Sequence, residues 1–325
     1  MKNIQTILAA TLILTVAACI DQTQEKAESI SSETSIPKMK MTTDTPEGIA
    51  TPNTLNSSAI GELNFFDGVP VPETAEKIYD YVDLHNAVDA YVKGIHIASM
   101  SAMKKGITEF GPANKTALLY EDLMDSKALW LTPNTTSVYM ASWLELADEP
   151  MVIETPGDVL GFINDHYFKY VTDFGRLGRD RAQGGKYLLI PRGYEGDIPE
   201  GYFVSRTNTS GHWVIWRGFQ KDGSPKPAID DTKANFKIYP LSQKDNPPAI
   251  NFVNMSGKFN NTIHRMDAEI FNEINEVIQS EPVEAENVEI IGTLAAIGIK
   301  KGHEFKPDAR MQKILDEAAK IGAAI

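Results

Sequence analysis

Gly161 to Pro191 reads GFINDHYFKYVTDFGRLGRDRAQGGKYLLIP. From Val159 to Thr172 the residues are aromatic, β-branched and charged in a pattern that predicts a half-buried strand. A Gly- and Arg-rich loop follows, and Lys186–Pro191 returns as a second strand. If residues 160–171 form one strand, Asn164, His166 and Phe168 share a face. Asp165, Tyr167, Lys169 and Val171 share the other, so Asp165 and His166 do not pair along it. Asp165, Tyr167 and Lys169 would instead line a polar pocket.

Outward from this stretch the chain is rich in strands. Lys127–Thr132, Ser137–Leu146, Met151–Glu154, Tyr202–Arg206 and His212–Phe219 are β-rich runs separated by Gly, Pro, Asn and Asp. All four tryptophans, Trp130, Trp143, Trp213 and Trp216, fall here. Val138-Tyr139-Met140-Ala141 is apolar on both faces, which predicts a two-layer sandwich with something packed outside it. The aromatic set Tyr139, Trp143, Tyr167, Tyr170, Trp213 and Trp216 suits stacking on a sugar or aromatic ring, although such residues more often fill a core.

Helices are expected on both sides. Ile78, Tyr81, Val82, His85, Val88, Val92 and Ile95 recur at helical spacing after Pro72, with Gly106 as the stop and His85 a core histidine. Ile270, Phe271, Ile274, Val277 and Ile278 form a later apolar stripe. Leu294–Ile299 is a short helix or buried turn. Met311, Ile314, Leu315, Ala318 and Ile321 form the last helix, whose pattern still runs at Ile325, so further sequence is expected after it. The expected divisions are a helical segment over 61–115, a β-sandwich over 116–240 and a second helical segment over 241–325 that completes the helical domain. This is an α+β fold.

The formal net charge is -13 over 325 residues. That excludes nucleic acid as a partner, because phosphate neutralisation needs Lys and Arg. It equally excludes docking on an anionic membrane through a basic patch. Cys19 is the one cysteine, which rules out a disulfide within the chain and a cysteine-ligated metal. Residues 1–18 combine Lys2 with an apolar run from Ile7 to Ala18, the pattern of a secretory signal. Val16-Ala17-Ala18-Cys19 resembles the bacterial lipobox, and the alternative is plain cleavage after Ala18. We expect export and a lipid anchor on Cys19, at the periplasmic side of the outer membrane in a Gram-negative host. Residues 19–60 are polar and Pro-rich and read as a disordered tether of about 40 residues spanning roughly 35 Å.

Several runs together resemble the bacterial domain-of-unknown-function family twelve-fifty-four. They are Asp67-Gly-Val-Pro-Val-Pro-Glu-Thr-Ala, Tyr120-Glu-Asp-Leu-Met-Asp, Leu131-Thr-Pro-Asn-Thr-Thr-Ser-Val-Tyr, Tyr170-Val-Thr-Asp-Phe-Gly, Gly184-Gly-Lys-Tyr-Leu, Ile238-Tyr-Pro-Leu and Ile297-Gly-Ile-Lys-Lys-Gly with Phe305-Lys-Pro-Asp-Ala-Arg. The resemblance covers nearly all of 65–325. It implies an antiparallel, immunoglobulin-like β-sandwich joined to a helical domain built from the flanking segments. It also implies a following jelly-roll domain of family twelve-fourteen, absent here, and it brings no established reaction. Where many members carry Asn-x-Asp-Thr, this chain has Asn134-Thr135-Thr136-Ser137, so an acidic group is missing.

The chemistry divides into three readings. Gly175–Lys186 places four cations and four glycines in twelve residues. Gly-rich amides and Arg forks can hold a carboxylate, sulfate or phosphate, and Tyr167, Lys169, Arg176, Arg179 and Lys186 are the candidate ligand-binding residues for a small anionic molecule or glycan. Asp180 and Tyr187 rule out a phosphate-binding Walker loop. The second reading is an envelope hydrolase or metal-assisted lyase using Asp165, His166, Asp173 and His212 as acid/base groups or ligands. None of the six histidines lies in a short metal-ligand motif, and the sequence assigns no cofactor. The third reading is a structural half that assembles with a separate jelly-roll domain or with its own copies.

Overall fold

The strand expected over 160–171 folds back on itself at Asp165. In the computed structural model, which describes residues 46, 48, 49 and 52–325, Val159–Asp165 and Tyr170–Gly175 are separate antiparallel strands. Asp165 Oδ1 accepts hydrogen bonds from the amides of Tyr167 (2.9 Å) and Lys169 (2.8 Å), and Phe168 takes a φ of 62°. A carboxylate that satisfies two turn amides replaces the ladder the strand would have continued. The alternation expected past residue 165 therefore ends there.

In chain order the strands and helices are β1 (Thr54–Ser57), β2 (Gly61–Phe66), β3 (Val69–Pro70), α1 (Pro72–Thr108), β4 (Thr116–Leu119), β5 (Ala128–Leu129), β6 (Val138–Glu145), β7 (Met151–Thr155), β8 (Val159–Asp165), β9 (Tyr170–Gly175), β10 (Gly185–Ile190), β11 (Phe203–Arg206), β12 (Gly211–Gly218), α2 (Lys226–Asn235), β13 (Lys237–Pro240), β14 (Asn251–Asn254), β15 (Asn260–Asn261), α3 (Glu269–Ser280), α4 (Val288–Ala296) and α5 (Ala309–Ala324). The larger sheet runs β14-β4-β6-β12-β8-β9 and the smaller β11-β10-β7-β13, and neither closes into a barrel. Met140, Ile163, Phe174 and Val214 of the larger sheet share one core with Ile153, Tyr187, Leu189 and Ile238 of the smaller. The sheets are mixed rather than wholly antiparallel. β10 with β11, β4 with β14 and β5 with β15 run parallel, because each partner arrives by a long connection rather than a hairpin.

The helical part differs from expectation in which face it buries. α1 is continuous, and its buried side is Ala87, Ala90, Tyr91, Gly94, Ile97 and Ala98. Tyr81, Val82, Val92 and Ile95 are exposed, and so is His85, which packs on Tyr81 rather than in a core. Small residues let the helices approach closely; a Cβ at Gly94 would meet Ile274 Cδ1 at 2.6 Å. Ile270, Ile274, Leu294, Leu315 and Ala318 complete this helical core. Gly106 is not a stop either. It lies inside α1 where Asn260 Nδ2 donates to its carbonyl at 2.7 Å. Asp308 caps α5 by accepting from the Met311 amide.

Two further boundaries move. The tether expected to reach residue 60 ends earlier, since β1 pairs with β2 and needs only backbone bonds and the single buried anchor Leu63. Residues 61–71 form strands before the helix begins. The expected signal at 1–18, Cys19 and most of the tether lie outside the described residues. Among the described residues, no helix is long and apolar enough to cross a membrane.

Candidate functional site

The outer face of the larger sheet is covered only in part. Met100, Met103 and Ile107 of α1 pack on Leu118, Ala141 and Trp143. Beyond them the face is open and forms a cleft of about 430 Å³, lined chiefly by Tyr139, Phe162, Phe168, Asp173, Trp213 and Arg217, with Leu131, Thr132 and Leu177 at its rim. The strand register explains this convergence. Asp173 pairs with Phe162, Phe162 with Ile215, and Arg217 with Leu160 and Tyr139, so these side chains stand on one face. Trp213 packs edge-on against Phe162 at 5.4 Å and beside Phe168 at 6.1 Å, and its indole N–H is buried without a partner among the described residues. The turn that Asp165 closes is what brings Phe168 over Trp213. Arg217 has no hydrogen bond or ion pair among the described residues, and Asp173 Oδ2 accepts only from the Tyr170 hydroxyl, at 3.3 Å.

Asp165 and His212 lie on the other face of the sheet from this cleft, the face of Ile163 and Val214, and with His166 they belong to a buried polar knot. His212 pairs with Asp165 across β12 and β8. Its Nδ1 donates to the Ser210 carbonyl (3.1 Å), so Nε2 accepts from the Thr207 hydroxyl at 2.6 Å. Burial lowers its imidazole to about 4, which keeps it neutral. His166 Nδ1 donates to Glu281 Oε1 at 2.7 Å, while its Nε2 has no partner among the described residues. Glu281 also accepts from the amides of Ser210 (2.7 Å) and Gly211 (2.9 Å). Burial raises the Asp165 carboxyl against the pull of the Lys169 and Tyr167 amides. These groups hold turns and each other. Asp173 stands apart from them in the cleft. Among the described residues, no three His, Cys, Asp or Glu side chains converge as metal ligands.

The Gly- and Arg-rich loop supplies its own anion. Asp180, buried, accepts from the Gly175 amide (2.8 Å), the Gly184 amide (3.1 Å) and the Tyr187 hydroxyl (2.6 Å). The amides a ligand would need at those positions are taken. The cations are dispersed too. Arg176 pairs with Asp158 and lies 3.7 Å from the centre of the Phe219 ring. Arg179 donates to the Val204 carbonyl and the Ser205 hydroxyl. Lys186 faces Glu154 at 3.4 Å, and Lys169 bonds Glu286 at 2.9 Å. Tyr167 is buried in the helical core, where burial and nearby carboxylates raise its phenol. The five expected ligand residues thus do not meet at one point.

Residues 113–240 match the family described as a protein of unknown function, DUF1254. The match is to a segment and not to the whole chain. It runs from β4 to β13 and includes every residue lining the cleft. Two of the runs that carry the family resemblance, Leu131–Tyr139 and Tyr170–Gly175, meet there: Leu131, Thr132 and Tyr139 come from one and Asp173 from the other. The fold is similar to the crystal structure of the VPA0106 protein from Vibrio parahaemolyticus, with a TM-score of 0.54 and 14% sequence identity over 74% of this chain. This chain covers 57% of that protein's length, and the likeness concerns fold alone. No curated protein matches the sequence.

The key cleft residue missed by spacing is Arg217. Its signal was present as a lone cation in Trp213-Val-Ile-Trp-Arg217, on the same strand face as Trp213 and Ile215. Glu281 carried no such signal, because its partners lie 70 and 115 residues away.

Proposed function

We propose that the DUF1254 segment binds a small molecule with an apolar or aromatic face and an anionic group, in the cleft between Phe168 and Arg217. The observation that carries this reading is the Arg217 guanidinium, without an ion pair or hydrogen bond among the described residues, beside an aromatic wall. An unpaired guanidinium in an apolar setting forfeits hydration, and a carboxylate restores that loss through two parallel hydrogen bonds. Phe168, 39% exposed, provides flat surface for stacking, with the half-buried Phe162 and the buried Trp213 behind it. The cation favours an anionic molecule over a neutral glycan. The core shared by the two sheets supports the sandwich as its scaffold.

Calorimetric titration with a series of aromatic carboxylates and their neutral amides tests this. The acids bind and the amides bind at least about tenfold more weakly, and Arg217→Gln erases the difference. Equal affinity for acids and amides, or binding unchanged in Arg217→Gln, contradicts the proposal.

We propose separately that this body sits in the cell envelope on a lipid anchor at Cys19, a reading supported by the apolar leader ending in Val16-Ala17-Ala18-Cys19. Labelled palmitate entering the wild-type protein but not Cys19→Ser supports it; equal labelling, or none in either, overturns it.

A further inference from the structure

We infer that the ligand of the cleft is a zwitterion of di- or tripeptide span, with its carboxylate on Arg217, its ammonium on Asp173 and an apolar body between. This rests on the cleft being the binding site proposed above, and it adds the second charge and the length.

Asp173 and Arg217 are the two charged residues of the cleft. Both are half-buried, and neither belongs to an ion pair among the described residues. They do not reach one another, yet they stand on one face. Asp173 pairs with Phe162, Phe162 pairs with Ile215, and Arg217 is two residues along the same strand. Two strand spacings of about 4.8 Å and a two-residue offset of about 3.4 Å each put their Cα atoms roughly 12 Å apart. The strip between them is Leu160, Phe162 and Ile215, which offers nothing polar to either charge.

Opposite charges separated by an apolar strip are each left without an ion pair, Asp173 having only the Tyr170 hydroxyl, and partial burial makes that costly. A ligand that compensates both must carry the complementary pair at matching separation. A single α-amino acid holds its two charges on one carbon and cannot touch both ends. Two or three extended residues reach about 7 to 10 Å, and a hydrogen bond of about 2.8 Å at each end extends that to roughly 12 to 16 Å, which suits two side chains standing off the sheet from Cα atoms roughly 12 Å apart. The aromatic wall of Phe168 and Trp213 then takes an apolar side chain of the peptide.

The test is calorimetric titration of the full chain with leucyl-phenylalanine, its N-acetyl form and its C-terminal amide. Each capped form binds at least about tenfold more weakly than the free dipeptide. Asp173→Asn reduces the penalty for acetylation to within about threefold, and Arg217→Gln does the same for amidation. An N-acetyl form that binds as tightly as the free dipeptide overturns the zwitterion and leaves an anion-binding cleft. Failure of all three dipeptides overturns the inference outright. Aromatic carboxylates binding in an Arg217-dependent way would show that the cleft reading survives that failure, and their failure too would sink both.

Discussion

Glu281 Oε1 lies 2.7 Å from His166 Nδ1, and neither side chain is more than 2% exposed. Glu281 is the C-cap just after α3, while His166 begins the turn that carries Phe168. The same carboxylate takes the amides of Ser210 and Gly211, just before Trp213. One side chain thus fastens the helical body to both segments that build the aromatic wall. Glu281→Ala leaves two amides and an imidazole unpaired in a buried place. The expected loss is about 3–5 kcal/mol, by analogy with breaking a buried pair. Urea unfolding at pH 7 measures it, and a loss under about 1 kcal/mol would mean the knot carries little.

The knot also predicts how stability follows pH. Burial raises the Glu281 carboxyl, but the bonds from His166, Ser210 and Gly211 outweigh it and leave it below the usual range. Its folded value lies below its unfolded one, so its contribution is complete above about pH 4.3 and disappears as pH falls through the lower folded value. His212 acts over a higher window. Its folded value of about 4 lies below the ordinary value near 6.5, so the unfolded chain takes up the proton first. Stability then declines from about pH 6.5 to 4, by on the order of 3 kcal/mol. Urea midpoints taken across this range should fall in both windows, and Glu281→Gln should flatten only the lower one.

Phe168 separates stability from binding. Its φ of 62° lies where a side chain costs about 1–2 kcal/mol and glycine does not. Phe168→Gly relieves that strain while giving up ring contacts with Trp213, so unfolding free energy should change by no more than about 1 kcal/mol. Affinity for an aromatic carboxylate should nevertheless fall about tenfold. Parallel denaturation and titration read the two effects.

Asp180 gives the Gly- and Arg-rich loop its shape. Asp180→Ala removes the common acceptor of two amides and a phenol, and should cost about 2–4 kcal/mol in chemical denaturation. Because this loop's amides serve Asp180 rather than a ligand, Arg176→Ala and Lys186→Ala should leave binding of an aromatic carboxylate within about twofold of wild type.

What the sequence made legible was local. Strand runs such as Ser137–Leu146 and His212–Phe219 show in their own residues, and β6 and β12 fall within a residue of those limits. Where the chain's meaning depends on distant partners, local pattern misled. The large apolar residues of α1 mark its exposed side, because close packing on α3 selects Ala87, Gly94 and Ala98 instead. Gly106 reads as a helix stop, yet a Cβ there would meet the Asn261 carbonyl oxygen at 2.3 Å. The Gly- and Arg-rich loop reads as an anion site because Asp180, its internal anion, looks like one more surface acid. The cleft itself became visible only when register placed Asp173, Phe162 and Arg217 on one face.

The most direct measurement is a nitrogen–proton correlation spectrum of the indole groups during titration with an aromatic carboxylate. The chain has four tryptophans, and Trp213→Phe identifies the cleft resonance. A large shift of the Trp213 signal is expected, saturating with the calorimetric affinity and absent in Arg217→Gln. The buried Trp143 signal, on the part of the sheet covered by α1, should stay nearly still. A Trp213 signal that does not move while the probe binds, or that moves equally in Arg217→Gln, would contradict the cleft as the binding site.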